Sequence, residues 1–225
     1  MRRLFVLRPE PAARATIERA RALGLDPVAL PLFTIQPIAW TPPEASAFDG
    51  LLLTSVNALR HAGAGLQAVR GLKAYAVGEA TAAAAREAGF DIAVTGAAGV
   101  ERLLGSVAPD LKLLHLCGED RVSPDARQNI TAIPVYRASE IPAPERIGDI
   151  AGATAAVHSP RAAKRLAALV DAAGVDRATV RIAAISPAAA AAAGEGWEQC
   201  EAATRPDDAA LLAVAARLCD KPGQP

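Results

Sequence analysis

Ser55 and Ser159 occupy the same place in a pattern that the chain contains twice. The first copy reads Leu51-Leu52-Leu53-Thr54-Ser55-Val56-Asn57-Ala58, then Ala76-Val77-Gly78-Glu79-Ala80-Thr81 and an Ala-rich stretch ending near Gly89-Phe90. The second reads Ala155-Ala156-Val157-His158-Ser159-Pro160-Arg161-Ala162, then Ala184-Ile185-Ser186-Pro187-Ala188-Ala189 and an Ala-rich stretch ending near Gly196-Trp197. In each copy the serine falls just past a short apolar run and just before a helical one. A hydroxyl there caps the helix by accepting from its free N–H groups, which is worth roughly 0.5–2 kcal/mol. The same junction points backbone N–H groups and a partial positive charge outward, the makings of an anion site. Thr54 and Thr81 share this double reading of cap and donor. Arg8 directly follows the first apolar run, at the strand end where ligands bind in open α/β sheets. Arg161 and Lys164 read as solvated surface charge, and Glu79 as a charge suited to a helix N-terminus. His61, His115 and His158 lack the spacing of metal ligands.

Such junctions need a scaffold of short strands leading into helices. Leu4 to Leu7 is a short apolar run stopped by Arg8-Pro9-Glu10-Pro11; Ala12 to Leu23 is an amphipathic helix closed by Gly24; Asp26 to Leu30 is a second strand. Further apolar runs at Leu51–Leu53, Ala74–Val77, Leu113–Leu116, Ala155–Val157 and Val180–Ile185 are each followed by Gly, Pro, Ser, Asp or Asn and a helical stretch. This order predicts an α/β protein with parallel sheets covered by helices. The repeat predicts two similar doubly wound lobes with a ligand cleft between them. Two segments break the rhythm. Leu32–Ile38 and Ile130–Arg137 are extended and interrupted or followed by proline, which predicts exposed edge strands. They are expected to cross between the lobes as a two-stranded β-ladder over 32–43 and 129–141. One lobe, 44–128, is then inserted into the other, 1–31 with 142–219, and 220–225 forms a flexible tail.

Hydrophobic residues make up 52% of the 225 and mean hydropathy is +0.20, ample for packed cores; at 4% aromatic, these rest on Leu, Val, Ile and Ala. Twenty-four basic and 24 acidic residues leave no net charge and there is no basic tract, which argues against nucleic acid as the main partner. Cys117, Cys200 and Cys219 are odd in number and without CxxC spacing, so they read as buried small hydrophobes. The apolar run after Met1-Arg2-Arg3 ends at Leu7, too short for a signal or a membrane span. A cytoplasmic protein with no membrane contact is expected. No GxGxxG follows a strand and no GxxxxGK[ST] occurs, which weighs against a nucleotide-handling enzyme.

In order and spacing, Val6-Leu7-Arg8-Pro9, Leu53-Thr54-Ser55, Val77-Gly78-Glu79-Ala80-Thr81-Ala82, Gly89-Phe90, Pro134-Val135-Tyr136-Arg137, Ser159-Pro160 and Pro206-Asp207-Asp208-Ala209-Ala210-Leu211 resemble the uroporphyrinogen-III synthase family. The resemblance spans nearly the whole chain. It implies two α/β lobes joined by a ladder, a monomer, and no metal or organic cofactor. The implied small-molecule substrate is linear hydroxymethylbilane, four pyrroles bearing acetate and propionate groups; a transient contact with the enzyme that forms the bilane is implied too. The implied reaction expels the terminal hydroxyl as water, inverts the last pyrrole ring through a spiro intermediate and closes the macrocycle. That is a lyase step of tetrapyrrole (haem-type) biosynthesis.

Loss of hydroxide needs a proton donor or a hydrogen bond that strengthens as charge develops. The resemblance puts Tyr136 beside the cleft as the catalytic donor, and a phenol donates at neutral pH. The alternative is a strand tyrosine with its ring packed on the ladder and its hydroxyl in water. The resemblance puts the substrate carboxylates near Arg8, Thr54, Ser55, Gly78, Thr81, Ser159 and Ser186, held largely by backbone N–H groups. The chain departs from the family twice. Ser186-Pro187 leads into Ala188-Ala189 where the family carries a Thr, and His158-Ser159 stands for its second Thr-Ser pair. A rival reading is a non-catalytic two-lobed small-molecule binding or sensor protein, because the chain shows no nucleophile, dyad or metal motif.

Overall fold

The computed structural model describes residues 1–96, 99–121, 123–142 and 144–220; the tail expected over 220–225 lies outside them but for Asp220. Along the chain the elements are β1 (Leu4–Val6), α1 (Ala12–Ala22), β2 (Pro27–Ala29), β3 (Phe33–Pro37), β4 (Gly50–Leu53), α2 (Val56–His61) and β5 (Ala74–Val77). Then come α3 (Glu79–Glu87), β6 (Ile92–Gly96), α4 (Val100–Gly105), β7 (Lys112–Gly118) and β8 (Asn129–Glu140). The last are β9 (Thr154–Val157), α5 (Pro160–Ala172), β10 (Arg181–Ala184), α6 (Pro187–Ala193), β11 (Gln199–Ala202) and α7 (Asp208–Cys219). The chain divides into two compact units, Met1–Thr34 with Glu140–Pro225 and Ile35–Ser139.

The first unit is a parallel sheet in the order β2-β1-β9-β10-β11. The central strands β1, β9 and β10 are buried at every residue, as continuous apolar strands covered on both faces should be. Helices α1 and α7 pack on the face formed by Leu4, Val6, Ala156 and Ala183. Helices α5 and α6 pack on each other and on β9 and β10. Helix starts follow the sequence: Ser159 Oγ accepts from Ala162 N at 3.1 Å ahead of Pro160, and Ser186 Oγ from Ala189 N at 3.2 Å ahead of Pro187.

The second unit has its own sheet, β6-β5-β4-β7-β8, with β3 added beyond β8. Strands β4 to β8 run parallel. Strand β3 runs antiparallel to β8, through Ile38 N to Val135 O and Ile141 N to Leu32 O, both 2.9 Å. Leu51, Leu53, Leu114 and Leu116 pack against α2 and α3, whereas Leu52 and Leu113 pack against Leu103 and Leu104 of α4. The side-chain alternation of the strands is what shares them between two helical layers. Both units are thus doubly wound α/β sheets, but their strand orders differ. Numbered within each unit they are 2-1-3-4-5 and 3-2-1-4-5, the two common solutions for such sheets.

Several expectations change. Strand β8 is paired on both sides, so of the two segments expected at edges only β3 is one. Pro134 is tolerated inside because the register shifts between Cys117 and Gly118, a bulge that spares one ladder bond. No helix follows β7 among the described residues; the segment leading to β8 is rich in polar residues and carries Pro124. Strands β6 and β11 escaped the sequence reading, β11 because Gln-Cys-Glu-Ala lies at a half-exposed edge. Cys117 and Cys219 are buried as expected, but Cys200 on that edge is exposed. No described helix is long and apolar enough to cross a membrane.

Close packing at the start of β4 makes a test. A Cβ on Gly50 would clash with the Tyr75 ring and lie 3.0 Å from Lys73 O. Gly50→Ala should therefore destabilise the second unit by about 1–3 kcal/mol, read as a lower urea midpoint, the usual cost of overpacking.

Candidate functional site

In each unit the strand order reverses once, and the loops on either side leave for opposite faces of the sheet. In the first unit this switch lies between β1 and β9, so Arg8 and the His158-Ser159 pair follow neighbouring strands. Asp208, the first residue of α7, gathers the donors there. Its carboxylate accepts from His158 Nε2 at 2.9 Å, Thr16 Oγ1 at 3.0 Å, Arg19 Nη1 at 2.6 Å and Arg8 Nη1 at 3.4 Å. Burial alone would raise the Asp208 pKa. The bonds from His158 and Arg19 outweigh it and hold the carboxyl far below the usual range. Burial pushes the His158 imidazole down in spite of Asp208, so the ring is neutral and its Nε2 proton goes to the carboxylate. Arg8, expected to face a substrate carboxylate, already has an internal partner, with 30% of its side chain left exposed.

The second unit switches between β4 and β7. Thr54 and Ser55 follow β4. Ser55 Oγ accepts from Asn57 N at 3.2 Å and caps α2, whereas Thr54 Oγ1 lies 3.0 Å from His115 Nε2 on β7. His115 is 2% exposed, and burial, helped by Arg121, lowers its pKa to about 4. At neutral pH it carries no charge. His115 and Arg121 also border a cavity of about 260 Å³ with Ser123, Gln128 and Ile130.

Gly78 is the N-cap of α3 with φ 84° and ψ 147°, a conformation open to glycine and strained for other residues. A Cβ there would meet nothing within 4 Å, so the backbone and not space demands the glycine. Its N–H is spent on Gly96 O at 2.7 Å; the open donors at this helix start are those of Glu79 and Ala80. Thr81 is not a cap. It lies inside α3 and is 5% exposed, which turns the expected junction donor into a packed helix residue. Thr54 is not a cap either, and its hydroxyl is tied to His115 instead.

Tyr136, on β8, packs its ring over Gly118 at the end of β7. A Cβ on Gly118 would lie 2.9 Å from Tyr136 Cζ and 3.1 Å from its Oη. His61 of α2 flanks the ring at 6.2 Å between centroids, tilted by 41°. The expected residues therefore do not gather at one place. Arg8 and Ser159 adjoin the first switch, Thr54 and Ser55 the second, and Tyr136 lies one strand beyond the second. Gly78 starts the helix after β5, and Ser186 caps the short α6 after β10. Sequence reasoning missed Asp208, Gly118 and both buried histidines. Asp208 was within a quoted motif and His158 marked a departure, but only packing reveals their partners.

Two outcomes follow. An unfolded chain takes up a proton on His115 near pH 6.5 whereas the folded one resists until about pH 4. Its contribution is complete above pH 6.5 and is lost as pH falls to about 4, on the order of 3 kcal/mol in all. Denaturation midpoints across that window should fall for the parent and stay flatter for His115→Gln. Asp208 acts in the same direction at lower pH, below the ordinary carboxylate range, since its carboxyl is depressed. Asp208→Ala, by stranding His158 and Thr16, should cost about 3 kcal/mol at pH 7 in the same measurement.

Comparison with known proteins adds a name to this arrangement. A family model described as Uroporphyrinogen-III synthase HemD matches residues 14–213. No curated protein sequence matches the chain. Among solved structures, uroporphyrinogen-III synthetase from Helicobacter pylori is similar over 97% of this chain and 100% of its own, at TM-score 0.68 and 16% identity. A mutant uroporphyrinogen III synthase from Thermus thermophilus is similar over 97% and 99%, at TM-score 0.54 and 18% identity. At these identities the structures speak to a shared fold, whereas the family match spans most of the sequence, with the whole of the second switch point, β9 of the first and Tyr136. This chain belongs to the uroporphyrinogen-III synthase family.

Proposed function

We propose that the protein cyclises linear hydroxymethylbilane to uroporphyrinogen III, a lyase reaction with net loss of water. The family match over residues 14–213 carries this reading. The bond that breaks joins the terminal methylene to its hydroxyl; the oxygen takes up a proton and leaves as water. The electron-poor azafulvene left behind is attacked by the substituted end of the last pyrrole. The spiro centre so formed breaks and re-closes with that ring inverted, and a ring proton is released. The intermediates react readily without help, so the protein's task is to hold one folded geometry. Helix starts and hydroxyls at the strand ends supply donors for the acetate and propionate groups. Ser55, Ser159 and Ser186 use only a lone pair in capping, which leaves each hydroxyl proton for a ligand.

Tyr136 is our candidate for the donor to the departing hydroxyl. Its support is the family resemblance and its setting, a half-buried phenol flanked by Gly118 and His61 with room for no further atom at Gly118. The test is an assay with freshly generated hydroxymethylbilane that resolves type III from type I uroporphyrin after oxidation. Dominance of type III is expected; a type I mixture identical to the protein-free control would sink the reading. In the same assay Tyr136→Phe should slow single turnover by roughly 10²–10⁴-fold with binding little changed. Gly118→Ala, which pushes the ring aside, should reproduce part of that loss, and a folded Phe variant with the parental rate would remove Tyr136 from the mechanism.

A further inference from the structure

We propose that His115, a buried histidine with no role in the reading above, fixes Thr54 as an outward hydrogen-bond donor and thereby makes the end of β4 selective for an acceptor, a ligand carboxylate. The functional reading enters only in naming the molecule that bears the carboxylate. On β7, His115 is in register with Leu52 of β4, and its Nε2 lies 3.0 Å from Oγ1 of Thr54. Two arrangements satisfy that distance. Either Nδ1 holds the ring proton and the Thr54 hydroxyl donates to Nε2, or Nε2 holds it and Thr54 accepts.

The other ring nitrogen decides between them. Nδ1 is buried and has no hydrogen-bond partner among the described residues. A buried N–H left without an acceptor costs about 1–3 kcal/mol. Orphaned buried N–H groups are also rarer than under-used acceptors, so a bare lone pair is the less costly group to leave there. The neutral ring has one proton to place, and it belongs on Nε2. Thr54 Oγ1 then gives a lone pair to that bond and must aim its own proton elsewhere. Thr54 is only half-buried, so this proton is open to a ligand. A site built this way accepts a carboxylate and rejects an ammonium, and the nearby Arg121 adds charge of the right sign.

Nitrogen NMR on protein labelled in its histidines reads the tautomer directly, with His115 assigned from the signals lost in His115→Gln. A protonated Nε2 and a bare Nδ1 are expected; a ring protonated at Nδ1 would overturn the proposal. Fluorescence titration with uroporphyrin, a polycarboxylate tetrapyrrole, supplies the second arm. Thr54→Val should weaken binding roughly tenfold, the worth of one hydrogen bond to a charge. His115→Leu should weaken it in the parent and have no effect once Thr54 is Val. His115→Gln, whose amide can donate in place of Nε2, should restore affinity. Equal losses from His115→Leu in both backgrounds would mean a merely structural histidine and overturn the proposal. Failure of the parent to bind uroporphyrin would count against the functional reading alone, because the tautomer still decides which way Thr54 donates.

Discussion

A parallel sheet whose strand order reverses must send neighbouring connections to opposite faces, and that constraint shapes each unit of this protein. At the reversal the carboxyl ends of two buried strands stand side by side without a helix crossing over them. In the first unit the pair is β1 and β9, in the second β4 and β7. Arg8, His158, Ser159, Thr54 and Ser55 acquire their neighbours from this geometry. Their strands can be buried on both faces because Leu, Val, Ala and Phe make up most of them, which fixes the strand ends as rigid platforms for short loops.

The two reversals treat charge differently. The first concentrates it: the single Asp208 carboxylate takes hydrogen bonds from His158, Thr16 and two arginines, so the positive charge there is met only in part from within. The second is built from neutral groups, with a threonine and an uncharged imidazole, and Arg121 is its nearby cation. Neither resembles a basic stripe, in keeping with a chain of zero formal charge. Donors already held in place by strands and caps need little reorganisation to meet an anion.

Sterics do for Tyr136 what hydrogen bonds do for Thr54. The bulge between Cys117 and Gly118 lets β8 carry Pro134 in its interior and brings Tyr136 opposite Gly118. With no side chain at Gly118, the phenol ring lies directly over the end of β7. One missing Cβ and one extra strand residue thus decide where a hydroxyl sits.

Much of this was legible in the chain itself. Short apolar runs, serine and aspartate caps and the doubled Leu53-Thr54-Ser55 and Val157-His158-Ser159 patterns are local signals, set by burial and by unpaired helix N–H groups, and they predicted α/β units and their junctions. The ordered motifs pointed to the family as well. Local signals carry no information about which strands become neighbours. The differing strand orders, the interior position of β8, the burial of Thr81 and the meeting of Asp208 with His158 across fifty residues all depend on long-range packing. The same holds for the ring tautomer of His115: the sequence supplies a histidine, but the desolvation around Nδ1 and the hydroxyl facing Nε2 exist only once β4 and β7 lie side by side.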